Sequence, residues 1–357
     1  MLRSRIVSAL AAVIAVTGIA VSPAAAADQE TEIIDVPVSF TVQNINRTLN
    51  QCDTDGETYT VHGYLTGPAE VLTEGDPPVT LYVHGTNTAQ WIWRLDVEGR
   101  NYVEELAERG HVSVSIDRLG YGENPLSNGF DTCTGANADV AHQVVEQLRA
   151  GDYQVDGDAP AAEGIEFSQV FMGGHSSGAL VAELVAYSFG SIDGIVSTGW
   201  AAIGITSETA RRFFPMFDSC QRTIAPGAEV EAGQTPGYVY FDQTLDDFYQ
   251  GSVSDTIDPV VREAIADRHV PSPCGVMVSE PLSILEDLTH LADIEVPVHF
   301  VFGAEDTLRE GVEPYPGLFT GSEEISEITI PDAGHIMLID NNAELVYDSI
   351  AEWLDQR

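Results

Sequence analysis

The chain contains no lysine. All 15 of its basic residues are arginine, set against 56 acidic ones, for a formal net charge of −41. A charge of that sign repels nucleic acid and anionic membrane surfaces, so neither is an expected partner. It speaks to solubility, as in a salty medium that screens self-repulsion, and not to fold. Cysteine is sparse too: Cys52, Cys133, Cys220 and Cys274, with no C-x-x-C pair. Zinc-ribbon and thioredoxin-like chemistry are therefore not expected. No H-E-x-x-H spacing occurs among the nine histidines, so no metal and no cofactor are expected. A repeat of fixed period is also lacking, which excludes solenoids and propellers. Past the first residues, no apolar run is long enough to span a bilayer, so stable membrane insertion is not expected.

The first residues carry a different pattern. Arg3 and Arg5 precede an apolar run from Ile6 to Val21, and Ala25-Ala26-Ala27 stands before Asp28. A basic start, an apolar middle and an A-x-A end predict a secretory signal peptide over 1–27 and a secreted mature chain beginning at Asp28. The run is short for a membrane anchor and is interrupted by Ser8 and Gly18. In an exported chain four cysteines predict two disulfides, with three possible pairings. We expect Cys220–Cys274 and Cys52–Cys133, because the first pair falls within one irregular stretch; a crossed pairing stays open. Closing a loop across Cys220–Cys274 constrains the unfolded chain by about 4 kcal/mol.

Strand and helix signals alternate. Residues 33–42 and 58–65 read as antiparallel strands, followed by short strands at 79–84, 112–116, 170–174, 192–197, 297–302 and 325–330. Helical spacing recurs at 97–109, 138–150, 179–187 and 342–355. This order predicts an α/β fold with a mostly parallel sheet covered by helices on both faces. The rhythm fails over 200–292, which reads as an inserted cap or lid. The core halves are then 28–199 and 293–357.

The sequence Gly174-His175-Ser176-Ser177-Gly178 follows a strand and opens a helix. A tight strand-to-helix turn needs small residues on either side of a central serine, and the helix N-terminus adds positive potential. Ser176 is the candidate nucleophile. Ser177 is the rival hydroxyl, and His175 reads as a packing residue. A serine hydroxyl needs a base, and His335, in a Gly-His pair just after the 325–330 strand, is the candidate. The base needs an acid to fix its tautomer. Asp306, just past the 297–302 strand, is the choice; a carboxylate at Glu305 could do the same work, and Asp332 reads as a turn residue. Backbone N–H groups of Ser177 and of the loop His84-Gly85-Thr86-Asn87 are the candidate oxyanion donors, with Thr86 first and Asn87 second. His84 reads as structural.

These residues, with Asp117-Arg118-Leu119-Gly120-Tyr121-Gly122, resemble the α/β-hydrolase superfamily in its capped form, over about residues 57–357. One departure is Glu123-Asn124, where many relatives carry a serine. A serine nucleophile sets the chain apart from the aspartate-dependent dehalogenase and epoxide-hydrolase branches. The resemblance implies a serine hydrolase cleaving carboxylic esters of small molecules through an acyl-enzyme. Trp91 and Trp93 are expected to wall the pocket, and Phe213, Phe214, Met216 and Phe217 to supply an apolar lid surface; plain packing between cap and core is the other reading. Peptidase, lactonase and cofactor-free haloperoxidase activities use the same triad. A hydrolase-like binding protein is the non-catalytic alternative. Substrate and oligomeric state are not legible.

Overall fold

In the computed structural model, residues 31–73, 75–157, 162–224 and 235–357 are described. The expected signal peptide, 1–27, lies outside them. Eleven strands occur among the described residues: β1 (Ile33–Gln43), β2 (Thr58–Pro68), β3 (Val79–Val83), β4 (Ser113–Ile116), β5 (Gln154–Val155), β6 (Val170–His175), β7 (Ile195–Thr198), β8 (Tyr238–Val239), β9 (Ser272–Pro273), β10 (Val298–Gly303) and β11 (Ile325–Ile330). Nine of them form one sheet in the order β11-β10-β7-β6-β3-β4-β2-β1-β5. From β4 to β11 neighbouring strands run parallel; β2, β1 and β5 extend the sheet antiparallel. The central strands β3, β4, β6 and β7 are buried along their whole length. That is the burial expected of parallel strands covered on both faces, and it explains their continuous apolar runs.

The helices are α1 (Ala69–Thr73), α2 (Tyr102–Glu108), α3 (Thr134–Ala150), α4 (Ser177–Phe189), α5 (Ser207–Ile224), α6 (Leu245–Ser252), α7 (Pro259–Ala264), α8 (Cys274–His290) and α9 (Ala343–Leu354). Three elements start three residues or more away from the sequence expectation, for local reasons. Helix α2 begins at Tyr102, not at 97, because Gly99 just upstream adopts φ 68° and breaks the helical path. Helix α3 begins a turn earlier than 138, because Cys133 caps it through the Ala136 N–H and the polar first turn is buried. Strand β7 starts at Ile195, since the Asp193 carboxylate is engaged by Arg149 and the Val170 N–H outside the ladder.

Between β7 and β10 the chain leaves the sheet and builds α5 to α8 with the two-stranded β8–β9 ribbon. Its last helix, α8, packs on α3, α4 and α5. Cys220 of α5 and Cys274 of α8 are paired with Cα atoms 5.4 Å apart, and Cys52 is paired with Cys133 at 6.5 Å. These are the two expected pairings. No helix among the described residues is long and apolar enough to cross a membrane.

Candidate active site

Strands β3, β6, β10 and β11 are parallel, so their C-terminal ends open on the same edge of the sheet. Thr86 follows β3, Ser176 follows β6, Asp306 follows β10 and His335 follows β11. Ser176 sits at φ 52°, ψ −128°, a conformation a non-glycine residue holds only under tertiary constraint, at a cost of about 1–3 kcal/mol. Its flanking glycines make the turn feasible. A Cβ on Gly174 would lie 2.3 Å from the Ala179 nitrogen, and one on Gly178 would lie 2.2 Å from the Val83 oxygen. Both collisions are with backbone, so no side-chain shift relieves them.

His335 Nδ1 lies 2.7 Å from Asp306 Oδ2, and both side chains are 6% exposed. The other Asp306 oxygen accepts from the N–H groups of Leu308 at 2.8 Å and Arg309 at 3.2 Å. Burial pushes the Asp306 carboxyl up, but the charge and hydrogen bond of His335, the Leu308 N–H and Arg309 outweigh it and hold the group below its usual value. The acid is thus held ionised against the imidazole, which fixes Nδ1 as the proton-bearing nitrogen and leaves Nε2 free to accept. Glu305 is exposed. Its neighbour Asp306 holds the contact with His335.

Ser176, His335 and Thr86 line one cavity of about 390 Å³. Among the described residues no hydrogen bond joins Ser176 Oγ to His335; such contacts are often long before a substrate closes the site. His175, buried behind them, donates from Nε2 to the His335 carbonyl at 3.0 Å. Burial, then the nearby His335, pushes the His175 ring down to about 3, so it is neutral and holds the base in place by its backbone.

The candidate oxyanion side is built from two loops. Ser177 begins α4, and N–H groups of a first helical turn have no intrahelical acceptor. The Asn87 N–H is already taken by Ser272 Oγ at 3.2 Å, which leaves Thr86 as the loop donor. The Thr86 and Ser177 hydroxyls meet at 3.0 Å, and Arg118 donates to Ser177 Oγ at 3.1 Å. His84 is neutral: burial first, then Arg118, pushes its ring well below the ordinary value. Its Nε2 accepts the Arg118 N–H at 3.1 Å, so Nδ1 donates to the Gly85 carbonyl at 2.8 Å and braces the loop.

The aromatic expectations divide. Phe213 and Phe214 line the cavity. Phe217 is not in its lining and stacks on Phe213 with ring centres 5.8 Å apart. Trp91 and Trp93 do not wall the cavity; both are buried, and Trp93 packs on Tyr82 and Tyr102 at 4.9 and 5.1 Å. The short helical turn Gln90–Trp93 directs them into the core behind the loop. Met216 is buried in a cluster around the Cys220–Cys274 pair.

Among the lining groups that escaped the sequence reading are Glu280, Ile284 and Leu285 of α8, and Arg309. Arg309, three residues past Asp306 in the same loop, was the most accessible of them to a sequence argument. Arg212 also reaches the cavity, pairs with Asp242 at 2.5 Å, and both are 1% exposed. Asp242 in turn accepts from the Asn87 side chain, and the Asn87 carbonyl accepts the Val270 N–H at 3.3 Å. The oxyanion loop is thereby tied to the segment between β7 and β10. Among the described residues no three His, Cys, Asp or Glu side chains converge as metal ligands do.

Comparison with known proteins places this arrangement. A sequence model of the alpha/beta hydrolase family matches residues 80–348. The chain belongs to the alpha/beta hydrolase family. A thermophilic esterase from Thermogutta terrifontis is similar in structure, with 19% identity, TM-score 0.59, and coverage of 89% of this chain and 98% of that one. A monoacylglycerol lipase from Paleococcus ferrophilus has 18% identity and TM-score 0.56, over 78% of this chain and 95% of that one. A putative non-heme bromoperoxidase from Mycobacterium tuberculosis has 16% identity and TM-score 0.55, over 79% and 94%. At these identities the likeness shows the fold alone. No curated protein matches the chain in sequence.

Proposed function

We propose that this alpha/beta hydrolase is a secreted serine esterase. Ser176 attacks the acyl carbon of a carboxylic ester, and His335 Nε2 takes the hydroxyl proton and returns it to the leaving alcohol. Water, activated by the same nitrogen, then attacks the acyl-enzyme and releases the acid. Asp306 holds the imidazole in its working tautomer and stabilises the imidazolium. The N–H groups of Thr86 and Ser177 receive the developing oxyanion. The residues between β7 and β10 act as the cap, with Phe213 and Phe214 as its apolar face. Export follows from the leader sequence, with which the two disulfide pairs are consistent.

The single observation that carries this reading is the 2.7 Å contact of His335 with Asp306 beside a serine held at φ 52°. Esterase and lipase neighbours in fold support the choice of bond. A chain-length series of acyl esters, set beside matched amides and lactones, tests it. Ester hydrolysis should exceed amide and lactone hydrolysis; a chain that cleaves only amides or lactones refutes the esterase reading.

A further inference from the structure

The cavity wall holds a polar pair that the hydrolytic reading leaves unused. Glu280 reaches the cavity from α8, and Arg309 reaches it from the loop after β10. Glu280 Oε2 is shut off from solvent and, among the described residues, has no hydrogen-bond partner. Burial pushes its carboxyl up, against the pull of Arg118, Arg309 and the Thr86 hydroxyl. A buried acceptor left unmade is destabilising, and native chains retain few of them. Arg309 spends Nε on the Ala201 carbonyl at 3.1 Å and Nη1 on the Leu308 carbonyl at 3.0 Å, and lies over the Trp200 ring at 4.9 Å. It is fixed in place, lines the same cavity as Glu280, and does not bond Oε2.

The rest of the lining is largely apolar: Phe213, Phe214, Phe241, Ile284, Leu285 and Leu308. An apolar substrate group laid on Glu280 leaves its oxygen unpaired. An ammonium group would meet the positive charges of Arg118 and Arg309. A hydroxyl satisfies the site, since its hydrogen is donated to Glu280 while its oxygen faces Arg309.

We propose that Glu280 and Arg309 form a hydroxyl-binding subsite, so that the substrate is an ester with a free hydroxyl close to the scissile bond and an apolar arm against α5 and α8. The proposal rests on the esterase reading above. A site that hydrogen-bonds a substrate hydroxyl discriminates strongly against the analogue lacking it, because its own polar groups are then stranded.

The test compares kcat/KM for propyl octanoate, 2-hydroxyethyl octanoate and propyl 3-hydroxyoctanoate. One hydroxylated ester should be preferred over propyl octanoate by about tenfold or more, and the preferred one shows which arm meets Glu280. The ratio should fall towards one in E280L, while E280Q, whose amide oxygen still accepts, should keep part of it. The methyl ether of the preferred ester should drop to the level of propyl octanoate in the wild type, a measurement that stands even if E280L does not fold. Equal rates for all three esters, a preference that survives in E280L, or a methyl ether hydrolysed as fast as the free hydroxyl overturns the subsite. If none of the esters is hydrolysed and a fluorophosphonate leaves Ser176 unlabelled, the esterase reading itself fails, and the subsite with it.

Discussion

The sheet edge and the segment between β7 and β10 face the same cavity but are built differently. At the edge, each candidate reacting group stands within five residues of the end of a parallel strand, with glycines shaping the turns. In the inserted segment most of the cavity-facing groups come from helices, and their placement depends on packing and on buried charges such as Arg212 with Asp242. The carboxyls show the same contrast. Asp306 at the edge is held below its ordinary value by His335 and backbone N–H groups that outweigh burial. On α8, burial wins: Glu280 and Asp287 are both raised. The edge thus keeps a carboxylate ionised, while α8 holds two carboxyls whose burial disfavours their charge.

The largest expected effect comes from removing the edge's reacting atoms. Ser176→Ala and His335→Ala should each lower kcat by about 10⁶-fold with the melting curve preserved. A variant retaining more than a thousandth of wild-type kcat would break the assignment. Asp306→Asn should cost about 10⁴-fold, because the amide presents the wrong partner to Nδ1. Glu305→Gln should change kcat little; if it is the more damaging substitution, the acid is misassigned.

These edge residues were legible from sequence because each carries a local constraint. G-x-S-x-G needs backbone contact between strand and helix, Gly303 to Asp306 follows an apolar strand run, and Gly334-His335 follows the alternating strand Ile325–Ile330. The wall of the pocket was not legible in the same way. Glu280 sits in Met277-Val278-Ser279-Glu280-Pro281, just before the interior proline of α8, and nothing local says that its carboxyl turns inward. Trp91 and Trp93 misled for the converse reason: proximity in sequence to the oxyanion loop suggested the pocket, while a single short helical turn sends both rings into the core. Edge strand β5, of two residues, is too short to leave a periodic signal.

The bond between the two regions can be tested next. Asp242→Ala removes one of the two carboxylates that pair with Arg212, leaving Glu208 at 2.8 Å, and frees the Asn87 side chain. With Glu208 still in place the loss should cost about 3 kcal/mol or less, read from urea unfolding. kcat should fall as well, since the loop loses its tie. Unchanged stability would mean that the pair does not hold the segment to the edge.

A smaller effect concerns Glu183 of α4 and Asp287 of α8, both 0% exposed. Tyr315 donates its hydroxyl to Glu183 at 3.0 Å and to Asp287 at 3.3 Å, and Trp200 Nε1 donates to Glu183 at 3.1 Å. Burial, then the neighbouring Asp287, pushes Glu183 well above its ordinary value, and burial pushes Asp287 up to about 7. Raised carboxyls bind protons in the folded state that the unfolded chain has already lost. Their contribution to stability is complete at acid pH and is lost as pH climbs from the ordinary carboxylate range through about 7. Asp287→Asn should therefore gain stability relative to wild type as pH rises across that interval, measured by chemical unfolding at each pH. A difference between the two chains that does not vary with pH would refute proton sharing between α4 and α8.

The central claim is that Ser176 is the nucleophile activated at this edge. Fluorophosphonate labelling of the mature protein followed by peptide mapping tests it most directly. A single adduct is expected on the peptide containing Ser176, absent from Ser176→Ala and greatly slowed in His335→Ala. An unlabelled wild type, or an adduct on another residue that persists in Ser176→Ala, would contradict the account.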